Sequence, residues 1–251
     1  MSAEVCAAGL DGCRAGWVAA VALRAPPGGE STALRRFATI DDAVRWWEDA
    51  TVGVGPRPPM AIDMPIGLPA RHEPRACDVQ ARRRLGRRWM CVFAPPDREL
   101  LGHDFAAARE IVHRRRAADP ARSYAVATHE TVNIAPKIAG VDRVLRASPG
   151  RADWLIEVHP ELSFRTLAGE DLAPKRSSGG AACRRALVAA RFPDAPQRLD
   201  AVRWRRREVG ADDLLDAYAA LWTAQRFVAG VHTELGDGAR DAYGLPQRII
   251  V

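Results

Sequence analysis

The chain has 251 residues, of which 47% are hydrophobic and 27% are charged, a composition that is ordinary for a soluble globular protein. This length is sufficient for one large domain, or for a domain with an inserted subdomain. No apolar run reaches the roughly 18 residues that a membrane span requires, so we expect no membrane association. The formal net charge of +6 permits an acidic partner such as nucleic acid without requiring one.

The cysteines and the N-terminus indicate the compartment. The five cysteines are scattered, odd in number and without a C-x-x-C pair, which makes a zinc site improbable and favours reduced thiols. The N-terminus shows no basic region followed by an apolar core and a cleavage site. We therefore expect a cytoplasmic protein.

The first informative stretch, residues 5–23, contains two apolar runs joined by a short Gly-bearing turn, which predicts a β-hairpin. The run before Asp11 has few polar residues, so this strand should be buried on both faces in the middle of a sheet. A carboxylate at the exit of such a strand is costly unless a cation meets it, and a metal ion would do so. The alternative is that Asp11 accepts hydrogen bonds in a turn at Gly12.

A further strand and a helix, near residues 33–38 and 42–50, begin a mixed α/β fold. The next stretch reads P-P-M-A-I-D-M-P-I-G-L-P, in which a short apolar strand delivers Asp63 before a proline ends the pairing. Ligands and catalytic groups collect at strand ends in open sheets. Two strand-end aspartates, Asp11 and Asp63, therefore favour a shared site.

The middle of the chain, from about residue 70 to 150, is expected to be mostly helical. Its pattern predicts a basic helix over 75–88, a helix over 104–118 and a helix over 131–145 that is broken at Pro136. The apolar segment W-M-C-V-F-A-P-P is interpreted as buried. We interpret the whole region as an insertion that covers one end of the sheet.

A later strand reads W-L-I-E-V-H-P-E and is stopped by its proline. Glu157 lies in the middle of this strand, where a buried carboxylate would need a partner. The alternative is an edge strand on which Glu157 faces water. A polar Gly/Ser loop then runs from Lys175 to Gly180.

The last long helix is predicted over residues 211–229. Asp213 and Asp216 are three residues apart, so they neighbour each other on one face of this helix. Small residues on the same face would let the helix approach the sheet closely; they are Ala217, Ala220 and Ala224. The alternative is that Asp212 and Asp213 simply favour the helix N-terminus, which explains Asp216 less well.

One economical explanation covers all of these acids, namely a single catalytic site for a divalent metal. The acids are Asp11, Asp63, Glu157, Asp213 and Asp216. Mg²⁺ and Mn²⁺ prefer oxygen ligands, and two such ions can activate water and stabilise the leaving oxygen in phosphodiester cleavage. We expect Asp11, Asp63 and Asp216 to be the metal ligands. Without metal, repulsion should leave the site strained or partly protonated.

Cationic side chains near the site would hold the phosphate backbone of a substrate. We assign this substrate-binding role to Arg14, Arg82 and Lys175, of which the second belongs to the arginine cluster of residues 82–88.

Five motifs, in order along almost the whole chain, resemble the domain of unknown function 429 family. They are G-L-D-G-C-R-A-G-W-V, I-D-M-P-I-G-L-P, C-D-V-Q-A-R-R-R-L-G, E-V-H-P-E-L-S-F and D-D-L-L-D-A-Y-A-A. Members of this family are regarded as predicted nucleases with a ribonuclease-H-like fold. The resemblance therefore implies an α/β protein with a ribonuclease-H-like mixed sheet, flanking helices and a helical insertion, forming a single domain over residues 1–251.

The resemblance also assigns roles to the acids. In ribonuclease-H-like enzymes the first strand carries an aspartate, which would be Asp11, and the fourth strand ends in another acid, which would be Asp63. The segment from Asp213 to Asp216 resembles the D-x-x-D-A helix of RuvC-type resolvases. The E-V-H-P-E motif, which contains Glu157, is not a general feature of ribonuclease H.

The insertion has no counterpart in minimal ribonuclease H domains. Within it, Cys77, Asp78 and Arg82 match the pattern of the family and are expected to line the site.

The expected function is thus a metal-dependent phosphodiesterase acting on DNA or RNA. One alternative is a nucleotide-binding phosphotransferase of the actin-like or sugar kinase type, although no second Gly-rich phosphate loop follows later in the chain. The other is a non-catalytic interaction module, which the presence of all the expected acids disfavours.

Overall fold

The chain is an α/β protein that divides into two compact units. The computed structural model describes residues 3–25, 28–70, 74–121 and 128–251. The first unit comprises residues 1–64, 153–233 and 250–251, and the second comprises residues 65–152 and 234–249. The second unit thus contains the region predicted as a helical insertion, together with a C-terminal stretch that the sequence did not associate with it.

The elements follow one another along the chain with strands first and most helices later. The strands are β1 (Glu4–Cys13), β2 (Gly16–Ala25), β3 (Gly29–Phe37), β4 (Met60–Ile62), β5 (Leu155–Glu157), β6 (Glu234–Leu235) and β7 (Ile249–Ile250). The helices are α1 (Ile40–Ala50), α2 (Ala76–Leu85), α3 (Phe105–Ala118), α4 (His129–Ala147), α5 (Pro160–Ala168), α6 (Ser178–Arg191), α7 (Ala195–Ala201) and α8 (Ala211–Val228). Among the described residues, none of these helices is both long enough and apolar enough to cross a membrane.

The first unit is built on a five-stranded sheet with the strand order β3-β2-β1-β4-β5. Strand β2 pairs antiparallel with both β1 and β3, whereas β4 runs parallel to β1 and β5 runs parallel to β4. The predicted mixed sheet with flanking helices is confirmed, and its order and strand directions are consistent with a ribonuclease-H-like fold.

Strand β1 is the central strand, and helix α8 packs directly onto it. A side chain on Gly9 would place its Cβ 2.0 Å from the backbone nitrogen of Leu221 and 2.2 Å from the carbonyl oxygen of Ala217. Glycine in the strand and alanines in the helix therefore let the two backbones meet. The predicted close approach of the last helix to the sheet is confirmed.

The turn between β1 and β2 lies further along the chain than the sequence predicted. Strand β1 passes through Asp11, which is paired with Val18, and ends at Cys13. The turn consists of Arg14 and Ala15. The interpretation of Asp11 as a turn residue at a strand exit is wrong, because antiparallel pairing with β2 continues for two residues beyond it.

Two local predictions in the second unit are also wrong. Helix α4 continues through Pro136, because Pro136 is exposed and the residues that follow it, such as Ile138 and Val141, are packed in the interior. A proline removes one hydrogen bond from a helix, and burial of the apolar face that follows offsets this cost.

The segment after α2 is only partly buried, although all of it was interpreted as buried. Trp89 and Met90 lie in a 3₁₀ turn over Gly86–Cys91 and are 52% and 76% exposed, and Phe93, two residues after the turn, is 41% exposed. Val92, between them, is buried. Apolar composition alone could not distinguish an outward-facing turn from a buried strand.

Candidate functional site: a carboxylate cluster with a lysine

The first two acids meet because of the register between β1 and β4. Parallel pairing sets Leu10 beside Ile62, so Asp11 and Asp63 follow on neighbouring strands. The backbone N–H of Asp63 donates to the carbonyl of Leu10 over 3.0 Å. The two carboxyl groups are close enough to interact, and the Asp11 side chain affects the pKa of Asp63.

Asp216 enters the same cluster from the first turns of α8. Its side chain is buried, as is that of Asp11. Burial raises the pKa of Asp11 well above its ordinary value, and the negative charges of Asp63, Asp216 and Asp213 raise it further. Burial likewise raises the pKa of Asp216 to about 6 against the lowering effect of the Lys175 ammonium. Upward shifts are expected for buried carboxylates whose mutual repulsion is only partly offset by nearby positive charge.

Asp63 is half-buried at the end of β4, and its pKa is also raised by burial. Interactions with His159 and with the Lys175 ammonium lower the pKa of Asp63 and so oppose this shift, whereas the nearby Glu161 carboxylate adds to it. The described structure therefore brings Asp11, Asp63 and Asp216 together with one lysine.

Lys175 lies on the loop between α5 and α6, and its Nζ donates to Oδ2 of Asp216 over 2.7 Å. Oδ2 of Asp212 is 3.7 Å from the same nitrogen. Burial alone lowers the pKa of Lys175, but the carboxylates of Asp216, Asp212 and Asp11 raise it above its ordinary value. The lysine is consequently charged at neutral pH and neutralises part of the cluster.

Asp213 is half-buried and serves the helix as well as the cluster. Its Oδ2 accepts a hydrogen bond from the backbone N–H of Gly210 over 2.8 Å, which caps the N-terminus of α8. The helix-terminus explanation thus applies to Asp213 and not to Asp216, which lies one turn further along and is buried.

Glu157 is buried at the end of β5, so the alternative in which it faces water is wrong. Strand β5 is the last strand of the five-stranded sheet, and Val158, the residue after it, forms a parallel bridge with Ile250. Glu157 is paired in register with Ile62, the residue before Asp63. This places Glu157 on the strand next to the cluster.

The two arginines assigned to substrate binding lie in different units. Arg14 is exposed in the turn that follows β1. Arg82 lies on α2 in the second unit, where its Nε donates to the carbonyl of Val92 over 2.8 Å. Nearby in the same unit, Asp78 is buried and forms an ion pair with Arg75 over 2.6 Å. The structure therefore gives Arg82 and Asp78 local structural partners within the second unit.

Sequence reasoning missed Arg184, a buried arginine of α6. Its Nη2 donates to Oε2 of Glu161 over 2.7 Å, and its Nη1 donates to the carbonyls of Ala173 and Gly180. Arg184 therefore connects the E-V-H-P-E motif to the loop that carries Lys175. Its role could not be recognised in the sequence, because α6 contains several arginines and many alanines and nothing distinguishes Arg184 from the others.

The cluster fits a hard divalent cation by the chemistry of its donors, since carboxylate oxygens are the ligands that Mg²⁺ and Mn²⁺ prefer. However, no group of three or more His, Cys, Asp or Glu side chains in the described part of the chain is arranged to hold a metal ion. The donor set is thus suitable, while the observed arrangement pairs Asp216 with a lysine.

The raised pKa values predict that the metal-free protein loses stability as the pH rises. An acid with a raised pKa in the folded state stabilises the protein below its unfolded pKa, near 4, and this contribution is lost as the pH rises through the folded value. For Asp216 that value is about 6. At about 1.4 kcal/mol per pH unit, the loss amounts to roughly 2–3 kcal/mol for one such group.

We expect Asp11→Asn to reduce this loss, because the amide keeps the shape of the side chain without its charge. Urea unfolding in EDTA at pH 5.0 and 7.5 measures the effect. Asp237→Asn, at an exposed position, is the control for removing one charge. An equal pH dependence in wild type and Asp11→Asn would contradict the prediction.

Comparison with known proteins gives a family and no activity. The family described as protein of unknown function (DUF429) matches residues 9–239. No curated protein and no solved structure matches the chain. Because the match covers most of the sequence and includes every acid of the cluster, the chain belongs to this family of proteins of unknown function.

Proposed function

We propose that the protein is a divalent-metal-dependent phosphodiesterase that cleaves nucleic acid. The observation that carries this proposal is the convergence of Asp11, Asp63 and Asp216, from two parallel strands and one helix, on one largely buried place. Burying several carboxylates that repel one another destabilises a fold. Carboxylates whose role is only to form ion pairs do not need to lie this close together. A site for a cation explains the arrangement.

The roles of the residues follow from their positions. Asp11, Asp63 and Asp216 would hold the metal, which when bound activates water and stabilises the leaving oxygen of a phosphodiester. Asp213 borders the cluster and adds negative potential, and Glu157 lies on the strand next to it. His159 lies close enough to Asp63 to affect its charge state and is a candidate for moving protons. Arg14, exposed next to the strand that carries Asp11, is a candidate contact for phosphate.

A separate surface of the second unit supports a nucleic-acid substrate. Arg83 and Arg87 are exposed on the same short segment as the exposed aromatic side chains Trp89 and Phe93. Arginine next to accessible aromatic rings is the combination that binds single strands, because arginine attracts phosphate and the rings stack on bases. A single-stranded region of DNA or RNA is therefore the preferred form of substrate.

Replacing Trp89 is expected to weaken binding of single strands. Loss of one stacking contact costs about 1–3 kcal/mol, so we expect Trp89→Ala to reduce affinity for a single-stranded oligonucleotide roughly 5- to 150-fold. Met90→Ala, which removes an exposed but non-aromatic neighbour, is the control. Fluorescence anisotropy at fixed salt measures both, and equal losses in the two variants would contradict a role in stacking.

The test of the proposed activity is a cleavage screen with single-stranded, double-stranded and branched DNA and RNA in the presence of Mn²⁺ or Mg²⁺. Metal-dependent cleavage that is lost in Asp11→Asn supports the proposal. Homogeneous protein that binds no metal and cuts none of these substrates contradicts it. Tight binding of ATP with Mg²⁺ would instead support a phosphotransferase.

A cytoplasmic location is part of the proposal. All five cysteines lie in the described ranges of the chain, and none of them forms a disulfide, which agrees with a reducing compartment.

A further inference from the structure

The loop that precedes α6 presents Lys175 to the acids through several specific contacts. Ser177 caps the helix by accepting a hydrogen bond from the N–H of Gly180 over 3.1 Å. The hydroxyl of Ser177 also donates to the carbonyl of Pro174 over 2.8 Å. The residues on either side of Lys175 are therefore tied to each other and to the start of the helix.

Two further residues fix the same loop from the side of α6. A Cβ on Gly180 would lie 2.2 Å from the carbonyl oxygen of Pro174, so the loop rests directly on the helix backbone. Arg184 is 1% exposed and donates to the carbonyl of Ala173 over 2.8 Å while it is paired with Glu161. A buried guanidinium is costly unless its partners are well placed, so the loop has a defined conformation.

The residue at the tip of this loop is one of the two lysines of a chain that has 37 lysines and arginines in all. An ammonium is a compact point charge on a flexible stem, whereas a guanidinium is a wide planar fork. A lysine can therefore enter a narrow cluster of carboxylates and approach a single oxygen, as Lys175 does at Asp216.

We propose that the Lys175 ammonium is the resident cation of the carboxylate cluster and competes with a divalent metal ion for Asp216. The inference rests on the proposed function, because that function supplies the divalent metal ion with which Lys175 would compete. A divalent ion bound by Asp216 would be repelled by the ammonium at its 2.7 Å contact, so the metal binds at the expense of the ion pair. The loop thereby sets the metal affinity of the site, and its lysine is released when metal enters.

Calorimetric titration of the full chain with Mn²⁺, without substrate, tests the competition. We expect Lys175→Met, which keeps an unbranched side chain of nearly the same length and removes its charge, to raise Mn²⁺ affinity at least about fivefold, since one repelling charge is lost. Arg176→Met removes a charge from the next, exposed residue and is expected to change affinity less than about twofold, because exposed charges are screened.

The outcomes separate this inference from the proposed function. Tighter binding by Lys175→Met than by wild type supports both. Measurable binding by Lys175→Met alone supports the competition and contradicts metal dependence of the natural protein. If wild type binds Mn²⁺ and Lys175→Met binds it equally well or more weakly, the inference is overturned and the proposed function is left intact. Absence of binding in every variant overturns both.

A second measurement uses the wild-type protein and does not depend on a variant that folds. Because the chain has two lysines, labelling with lysine carrying ¹³C at Cε gives one signal for Lys175 and one for Lys137 on α4. Titration with Mg²⁺ is expected to shift the Lys175 signal as its ion pair breaks, while the Lys137 signal stays constant. Mg²⁺ binding that leaves the Lys175 signal unchanged would overturn the inference.

Discussion

Asp216→Asn is expected to lower the affinity of the protein for Mn²⁺ at least about 100-fold. Even residues that only support a metal ligand contribute roughly 10- to 100-fold to affinity, so loss of a ligating charge should exceed this range. The change is isosteric, and its site in α8 is buried next to the other acids. Calorimetry at pH 7.5, above the pKa of about 6 of Asp216, measures the effect with the carboxylate ionised.

The matched control is Asp212→Asn. It makes the same chemical change on the same helix, one turn earlier, at an exposed carboxylate. We expect it to change Mn²⁺ affinity less than about threefold, since exposed charges are largely screened by solvent and salt. If both variants lose affinity equally, the effect comes from the overall charge of the helix, and Asp216 is not a ligand.

Gly9→Ala is expected to be among the most destabilising single substitutions in the chain. The added methyl group would lie within 2.6 Å of three backbone atoms of α8, which belong to Ala217, Ala220 and Leu221. Backbone atoms cannot rotate away as a side chain can, so the central strand and its helix must separate. Overpacking of this kind costs about 3 kcal/mol or more.

Urea unfolding and thermal denaturation measure the cost of this substitution. For a chain of this size, about 3 kcal/mol corresponds to a decrease in Tm of roughly 6–12 °C. Gly29→Ala is the control, because Gly29 also lies in a strand but has open space around it, and we expect a change within about 1 kcal/mol. Equal Tm values for the two variants would mean that α8 does not hold β1 as closely as the structure indicates.

Gly9→Ala should also weaken Mn²⁺ binding, since Gly9 precedes Asp11 by two residues and the helix that must move carries Asp216. Loss of stability without any loss of metal affinity would separate the packing of α8 from the geometry of the cluster.

The sequence predicted the elements whose pattern depends on burial alone. Strand β1 is apolar because both its faces are covered, and α8 is rich in apolar and small residues because every residue from Leu214 to Ala224 is buried. Asp11, Asp63 and Asp216 were recognisable because a charged residue interrupts an otherwise buried pattern. Local sequence was sufficient to recognise these three residues. The rule that strand ends meet at one edge of a sheet applies only to Asp63, because Asp11 lies inside β1 and Asp216 lies on α8.

Features that depend on contacts between distant residues were not predictable. The carbonyl of Ala173, the carboxylate of Glu161 and the guanidinium of Arg184 meet through the folded chain, and none of the three has a local pattern that indicates it. Val158, the residue after the buried Glu157, forms a parallel bridge with Ile250, which lies nearly a hundred residues later. The exposed position of Trp89 likewise follows from the direction of one turn.

The packing of α8 on β1 has a consequence for biosynthesis. Strand β1 leaves the ribosome well before α8, the helix that covers Gly9. At 5–20 residues per second, about 10–40 s separate the two events. During that interval the nascent hairpin of β1 and β2 exposes an apolar face and an unpaired strand edge, both of which favour aggregation. The nascent chain should therefore be bound by chaperones until α8 emerges, and truncation before residue 211 should leave the protein in inclusion bodies.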